Sequence, residues 1–258
     1  MKKSSVHRVI TMAAVAMAFT LTSAANAANI GYVGGLTDGA LDKPFDLGWA
    51  ARLTLQGHTV TPIDQATPAS SPSLATIDLF IVSQDVGSGT FLGGVGINQP
   101  KPILTYEYGL YDDIFGATGQ GASSGLLTNG LTISNPSHPL AAGLSGNVSI
   151  YTGDGGNGTI SRFATASAGT EIIAVSADNP SQNIFAVLPA GAAGNAGNTW
   201  SALRMTVPGY DSWDPAFVTA DGWKLLDNAV TFALVPEPSS LALLGLGMAL
   251  FLARRQLR

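Results

Sequence analysis

The hydrophobic positions of this chain change their spacing several times, and each change marks an element. Asn29–Val33, Asp78–Ser83 and Pro102–Tyr106 are short runs of almost unbroken apolar character. That is the mark of strands buried on both faces, as in sheets covered by helices on each side. Between the first two, Phe45, Trp49 and Leu53 recur every fourth residue, with Arg52 and Gln56 turned away. This spacing predicts a helix over Pro44–Gln56, with proline suited to its first turn and Gly57 ending it. His58–Ile63 then resumes as a strand. Strand, helix, strand at this spacing predicts parallel βαβ units.

From Gly116 to Gly158 the chain turns rich in Gly, Ser, Asn and Thr, with β-prone pieces at Leu131–Ile133 and Val148–Tyr151. Further strands are expected at Glu171–Ser176, Ile184–Leu188 and Leu203–Val207. The last expected element is a helix over Asp221–Ala233, with Trp223, Leu226, Val230 and Ala233 as its buried stripe. The expected fold is one flavodoxin-like α/β domain over residues 28–234, with a mostly parallel sheet and helices on both faces. Its length is enough for one core without staples.

The two ends have a different pattern. Lys2, Lys3 and Arg8 precede an apolar stretch over Val9–Leu21, and Ala25-Asn26-Ala27 supplies small residues for a signal peptidase. Residues 1–27 are therefore expected to be a signal peptide, cut between Ala27 and Ala28. At the other end Val235-Pro236-Glu237-Pro238 leads into an apolar run, Leu241–Ala253, followed by Arg254 and Arg255. At ~1.5 Å per helical residue that run spans roughly 20 Å, short of a ~30 Å hydrocarbon core. Adding Ser239 and Ser240 and letting the arginines snorkel brings a helix over about 239–253 close to spanning. The arginines then favour a cytoplasmic C-terminus and an outside domain.

Pro-Glu-Pro, a short hydrophobic helix and a terminal basic cluster, in that order, resemble the PEP-CTERM sorting signal, also known as the ice-binding protein C-terminal domain. The resemblance implies that an exosortase-type protease recognises Pro236, Glu237 and Pro238 and removes the helix. The protein would be anchored transiently in the inner membrane, then released or attached at the outer surface or in the extracellular matrix. Ice binding is not implied, because no Thr-x-Thr ladder accompanies the signal.

Charge and cysteine content exclude several functions. The chain has 12 basic and 17 acidic residues and a net charge of −5, but residues 28–235 keep 6 basic and 16 acidic side chains, or −10. Such a surface repels nucleic acid, so no nucleic-acid partner is expected. There is no cysteine, which excludes disulfides, thiolate metal sites and a cysteine nucleophile.

Gly57-His-Thr-Val, Asp78-Leu-Phe-Ile-Val-Ser, His138-Pro-Leu-Ala-Ala-Gly-Leu and Gly222-Trp-Lys-Leu-Leu-Asp-Asn-Ala-Val together resemble class I glutamine amidotransferase-like domains, including ThuA-like proteins. Those domains place a cysteine on the turn after a strand reading Pro-apolar-apolar-Gly-x-Cys-x-Gly. Here Pro102-Ile-Leu-Thr-Tyr-Glu107-Tyr-Gly109 stands in that place. A carboxylate cannot form the thioester with glutamine, so amidotransfer is excluded.

In an open α/β sheet ligands bind beyond the carboxyl ends of the strands. That rule makes Asp38, Gln84, Asp85, Glu107 and Tyr108 the candidate site residues. Two carboxylates across a cleft suit acid/base work or glycoside hydrolysis; the same acids also cap helices and turns. His138 is a candidate base or ligand, or the start of a turn. His58 reads as structural, and two isolated histidines give no zinc signature. Thr152–Thr159 superficially suggests calcium or phosphate but lacks the acidic spacing of a calcium loop, and reads as a flexible loop. In Tyr210-Asp-Ser-Trp213-Asp-Pro215 two aromatics adjoin two acids, as a sugar-stacking lip or as a packed turn. No cofactor or metal is expected. The leading reading is an exported envelope or matrix protein with a non-catalytic domain; its partners are signal peptidase, an exosortase-type protease, the inner membrane and exopolysaccharide. The alternative is a carbohydrate-binding or carbohydrate-active protein using the strand-end carboxylates.

Overall fold

The computed structural model describes residues 27–125, 130–153 and 158–235. In chain order the elements are β1 (Asn29–Gly34), α1 (Pro44–Leu55), β2 (Thr59–Asp64), β3 (Leu79–Val82), α2 (Ser88–Gly93), β4 (Ile103–Thr105) and α3 (Tyr111–Phe115). They continue as β5 (Gly121–Ser123), β6 (Leu131–Ile133), β7 (Gly146–Val148), β8 (Ile160–Arg162), β9 (Glu171–Ser176), β10 (Asn183–Leu188), β11 (Arg204–Thr206) and α4 (Ala220–Leu234).

A nine-stranded sheet runs β2-β1-β3-β4-β11-β10-β9-β6-β7, and β5 pairs with β8 separately. The first half is parallel and flavodoxin-like in order. Asn29 pairs with Thr59, Ile30 with Leu79, Phe80 with Ile103, and Ile103 again with Arg204. From β11 outward every pairing is antiparallel. The expectation of a mostly parallel sheet is therefore corrected to a mixed one. Connection length is the physical reason. Only Ala177–Gln182 separates β9 from β10, whereas a parallel crossover needs a dozen residues or more. Buried apolar runs look alike in both arrangements, so their composition could not reveal this.

Helices cover both faces, as expected. On one face Phe45, Trp49 and Leu53 of α1 and Leu225, Leu226, Ala229 and Val230 of α4 pack on Ile30, Tyr32, Leu79 and Leu104. On the other, Phe91 of α2 and Tyr111, Ile114 and Phe115 of α3 pack on Val33, Phe80, Val82 and Ile103. The α1 stripe is fully buried, as its spacing predicts. In α4 the buried stripe is shifted, because Leu225 and Ala229 join it and Trp223 is only half-buried. Thr219 caps α4, its hydroxyl accepting from the Gly222 amide at 3.0 Å.

Helices α1 and α4 run in the same direction. Phe45 near the start of α1 stacks on Trp223 near the start of α4, with ring centroids 6.2 Å apart. One turn or two further on, Arg52 donates to both carboxylate oxygens of Asp227 at 2.6–3.2 Å. Because α1 follows β1, both helices end where the parallel strands begin. The start of β1 and the end of α4 therefore leave the domain at one end, with the strand carboxyl ends at the other.

No helix among the described residues is long and apolar enough to cross a membrane. The expected signal peptide through Asn26 and the expected spanning helix at about 239–253 lie outside the described residues.

Candidate functional site

The carboxyl ends of β1, β3, β4 and β11 bring four acids into one electrostatic neighbourhood: Asp46, Asp85, Glu107 and Asp211. Glu107, the residue in the nucleophile position of the resemblance, is 5 % exposed. It caps the turn after β4: its Oε1 accepts from the Gly109 amide at 2.6 Å. Its Oε2 is shielded from solvent and has no hydrogen-bond partner. Burial pushes its carboxyl up to about 8; the Gly109 amide opposes this, and Asp211 and Asp85 add to it. The backbone there is ordinary, with φ −82 and ψ 107. Among the described non-glycine residues only Asp38, Ala142 and Ala196 have positive φ. The turn after β4 thus lacks the strain of a nucleophile elbow.

Asp46 is not among the residues that the sequence pattern singles out. It stands three residues before Trp49 and seven before Leu53, on the apolar stripe of α1, and that spacing was the available signal. It is 1 % exposed. Its Oδ1 accepts from the Tyr32 hydroxyl at 3.3 Å and from the Tyr106 hydroxyl, and the two hydroxyls lie 2.7 Å apart. Burial lifts this carboxyl to about 7; the Tyr106 and Ser83 hydroxyls resist, and Asp85 and Asp211 push the same way as burial. Burial, with Asp46 alongside, also raises both tyrosines well above their ordinary value.

Asp85 and Asp211 are less enclosed. Asp85 holds the turn after β1, accepting from the Gly35 amide at 3.2 Å. Gln84, with its amide nitrogen facing Asp211, donates to that carboxylate at 3.1 and 3.3 Å. Partial burial raises the Asp211 carboxyl, with Asp85 contributing in the same direction. Tyr108 and Tyr210 are half-buried beside them, and burial followed by Asp211 raises the Tyr210 hydroxyl. This rim can give and take hydrogen bonds, but the buried Glu107 is turned into a backbone cap beneath it.

Several expected site residues lie elsewhere. Asp38 sits exposed at the tip of a tight turn closed by Thr37 and Ala40, with φ 52 and Gly39 at φ 79. Trp213 is no stacking lip: it is 3 % exposed, donates from Nε1 to the Thr159 carbonyl at 2.7 Å and stacks on Tyr151 at 4.5 Å. The packed-turn reading of Tyr210–Pro215 is the one that holds for Trp213. His138 caps a single 3-10 turn, its Nδ1 accepting from the Leu140 amide at 3.1 Å, and burial lowers its pKa despite Glu171 at 3.6 Å. That is the turn-start alternative. His58 is structural, accepting at Nδ1 from the Ala28 amide at 3.2 Å. The core of the Thr152–Thr159 loop lies outside the described residues. Among the described residues no three His, Asp or Glu side chains are grouped to hold a metal ion. A cavity of about 390 Å³ opens at the opposite end of the domain, between Ser71–Ala75 and Gln99–Lys101, and contains none of the candidates.

Comparison with known proteins identifies the tail. The PEP-CTERM protein-sorting motif matches residues 234–256. The chain therefore carries the sorting signal of an exported protein handled by an exosortase-type system and destined for the cell surface or matrix. The comparison with curated proteins gave no match. Among solved structures the chain is similar to a putative ThuA-like protein from Bacteroides uniformis ATCC 8492, at 12 % identity, TM-score 0.45, covering 80 % of this chain and 91 % of that one. It is also similar to an exo-β-1,4-mannosidase from Opitutaceae bacterium strain TAV5, at 10 % identity and TM-score 0.40, covering 88 % of this chain but only 38 % of that one. Likenesses this loose say nothing about what the domain does.

Proposed function

We propose that this is an envelope or matrix protein exported behind a cleaved signal peptide, held briefly in the inner membrane by residues 239–253, and sorted to the outer surface through Pro236-Glu237-Pro238. On arrival its α/β domain acts without catalysis, as a surface or exopolysaccharide-contacting module. The observation that carries the non-catalytic part is Glu107. The one acid in the nucleophile position has one oxygen on the Gly109 amide and the other shut away from solvent.

The edge of the domain supports the expected signal cleavage. Ala27 is exposed and Ala28 is buried, its amide on His58 and its carbonyl accepting from the Thr59 amide at 2.9 Å. A peptidase takes an extended, accessible chain, so the cut precedes closure of β1 into the sheet. Mass spectrometry of the mature protein should give Ala28 as its first residue; an N-terminus at Met1 sinks the export reading.

The sorting step has its own test. Replacing Pro236, Glu237 and Pro238 by alanine should leave a longer species in the inner-membrane fraction, with the surface form lost. If the normal mature form still reaches the surface, the tail does not sort this protein as proposed.

A further inference from the structure

The two ends of the domain and its charges are arranged along one axis. The start of β1 and the end of α4 share one end of the domain, and the sorting motif begins at the last residue of α4. Leu55, the last residue of α1, is 90 % exposed at that end, and Val235 is 45 % exposed. Charge there is sparse. Asp78 and Lys101 flank the starts of β3 and β4, Arg204 is buried at the start of β11, and Glu171 begins β9. Those four cancel. The exposed residues around them, including Pro72, Ser73, Thr76 and Asn98, are uncharged.

The opposite end holds much of the domain's acidity. Asp38, Asp42, Asp64, Asp85, Asp112 and Asp211 all follow strand carboxyl ends or begin the helices there. The strands between the two ends set their separation. At about 3.3 Å per residue, β1 alone spans roughly 20 Å, whereas the Debye length at physiological ionic strength is only about 8 Å. A bilayer touching the neutral end is thus more than two screening lengths from the acids.

We propose that, until the tail is removed, the domain docks on the lipid surface by this neutral end, with Leu55 in the headgroup region and the acidic end facing outward. This rests on the sorting reading above, which supplies the membrane. Three observations fix the lipid surface as the occupant. The segment beyond α4 leaves from that end with no intervening spacer, since the motif starts at Leu234. An anionic headgroup layer repels the acidic end and leaves the neutral one unopposed. Leu55, 90 % exposed at that end, is the most exposed large apolar side chain among the described residues, against 38–49 % for Leu47, Leu92, Phe217 and Val235, and it suits an interface.

The chain has no cysteine, so single cysteines can carry a unique label. Full-length protein with Leu55→Cys or Asp112→Cys, each bearing an environment-sensitive fluorophore, is reconstituted into phosphatidylethanolamine/phosphatidylglycerol vesicles. Both positions are exposed, so both variants keep the fold. Headgroup spin-labelled lipid should quench the label at position 55 several-fold more than at 112, and emission at 55 should shift to the blue. Equal quenching at the two positions in vesicle-bound protein overturns the docking and leaves the anchor intact. Protein that stays in solution overturns the anchor and the docking together.

Discussion

Arg204→Ala is expected to be the most damaging single substitution in the domain, costing roughly 3–5 kcal/mol and lowering the melting temperature by about 10 °C or more. Arg204 is 1 % exposed and has no carboxylate partner among the described residues. Its guanidinium instead donates to backbone carbonyls. Nη1 reaches Lys101, Ala202 and Leu203, each at 3.0 Å, and Nη2 reaches Ile97 and Gln99 at 2.8 and 2.7 Å. Trp200 lies under the guanidinium carbon, 5.5 Å from its ring centroid. Burial lowers the pKa to about 10, so the group stays charged at neutral pH. These carbonyls belong to the loops entering β4 and β11, the junction where the parallel half of the sheet meets the antiparallel half. Removing the side chain strands buried acceptors and opens a cavity at once. Arg204→Lys should rescue little, because one ammonium cannot serve two groups of carbonyls from two nitrogens. Urea denaturation of the purified protein measures both variants. A loss below about 1 kcal/mol for the alanine variant defeats this account.

The second large effect is a stability that rises as the solution is acidified from pH 8 to pH 5. The folded state holds Asp46 at about 7 and Glu107 at about 8, against ordinary values of 3.8 and 4.5. Over that range the folded protein binds more protons than the unfolded chain, so unfolding free energy falls as pH rises. The neutral-acid contribution is complete below about pH 4 and is lost progressively as pH climbs through 7 and 8, on the order of 4 kcal/mol for each group. Asp211 and Asp113, also raised by burial, act in the same direction. Many proteins lose stability on acidification because paired carboxylates must take up protons; here the buried pair is already short of partners when ionised. Calorimetry from pH 5 to 8 should show the melting temperature dropping with pH. Glu107→Gln keeps an oxygen for the Gly109 amide and should remove about half of the slope, gaining on the wild type at pH 8. A stability that increases from pH 5 to 8, or an unchanged slope in Glu107→Gln, would show that Glu107 is not held neutral.

Much of the fold was legible because burial writes itself into short stretches. Phe45, Trp49 and Leu53 could be placed on one face of α1 by spacing alone, and Leu79–Val82 had to be a strand buried on both sides. The direction of pairing beyond β4 is not written in the composition of the strands; the signal for it was the connection length, since the expected strands Glu171–Ser176 and Ile184–Leu188 already leave too few residues for a crossover. Of the candidate site, the strand-end rule placed Asp85, Glu107 and Tyr108 at the end where they stand; Tyr210, singled out as an aromatic beside acids, lies with them. Asp38 was placed there too, and it stands exposed at the tip of a positive-φ turn. Trp213 looked like a lip because acids adjoin it in sequence, yet its indole points into the core. Asp46 and Arg204 were overlooked for the same reason: a charged residue is ordinarily at the surface, and only neighbours distant in sequence make burial tolerable.

The amino-acid sequence by itself determined where the protein goes and what it cannot do. Pro-Glu-Pro, an apolar run and arginines, in that sequence order, match a protein-sorting motif, and that match is made on the linear sequence alone. The absence of cysteine excludes thiol chemistry in any conformation. The tertiary structure alone decided the state of the acids and the polarity of the domain. Whether a carboxyl is a base, a ligand or a neutral cap depends on the water and dipoles around it, and at Glu107 those come from Gly109, Asp85 and Asp211. Whether the two exported ends leave from one side depends on helix direction, which the Phe45–Trp223 and Arg52–Asp227 contacts fix and no local pattern encodes.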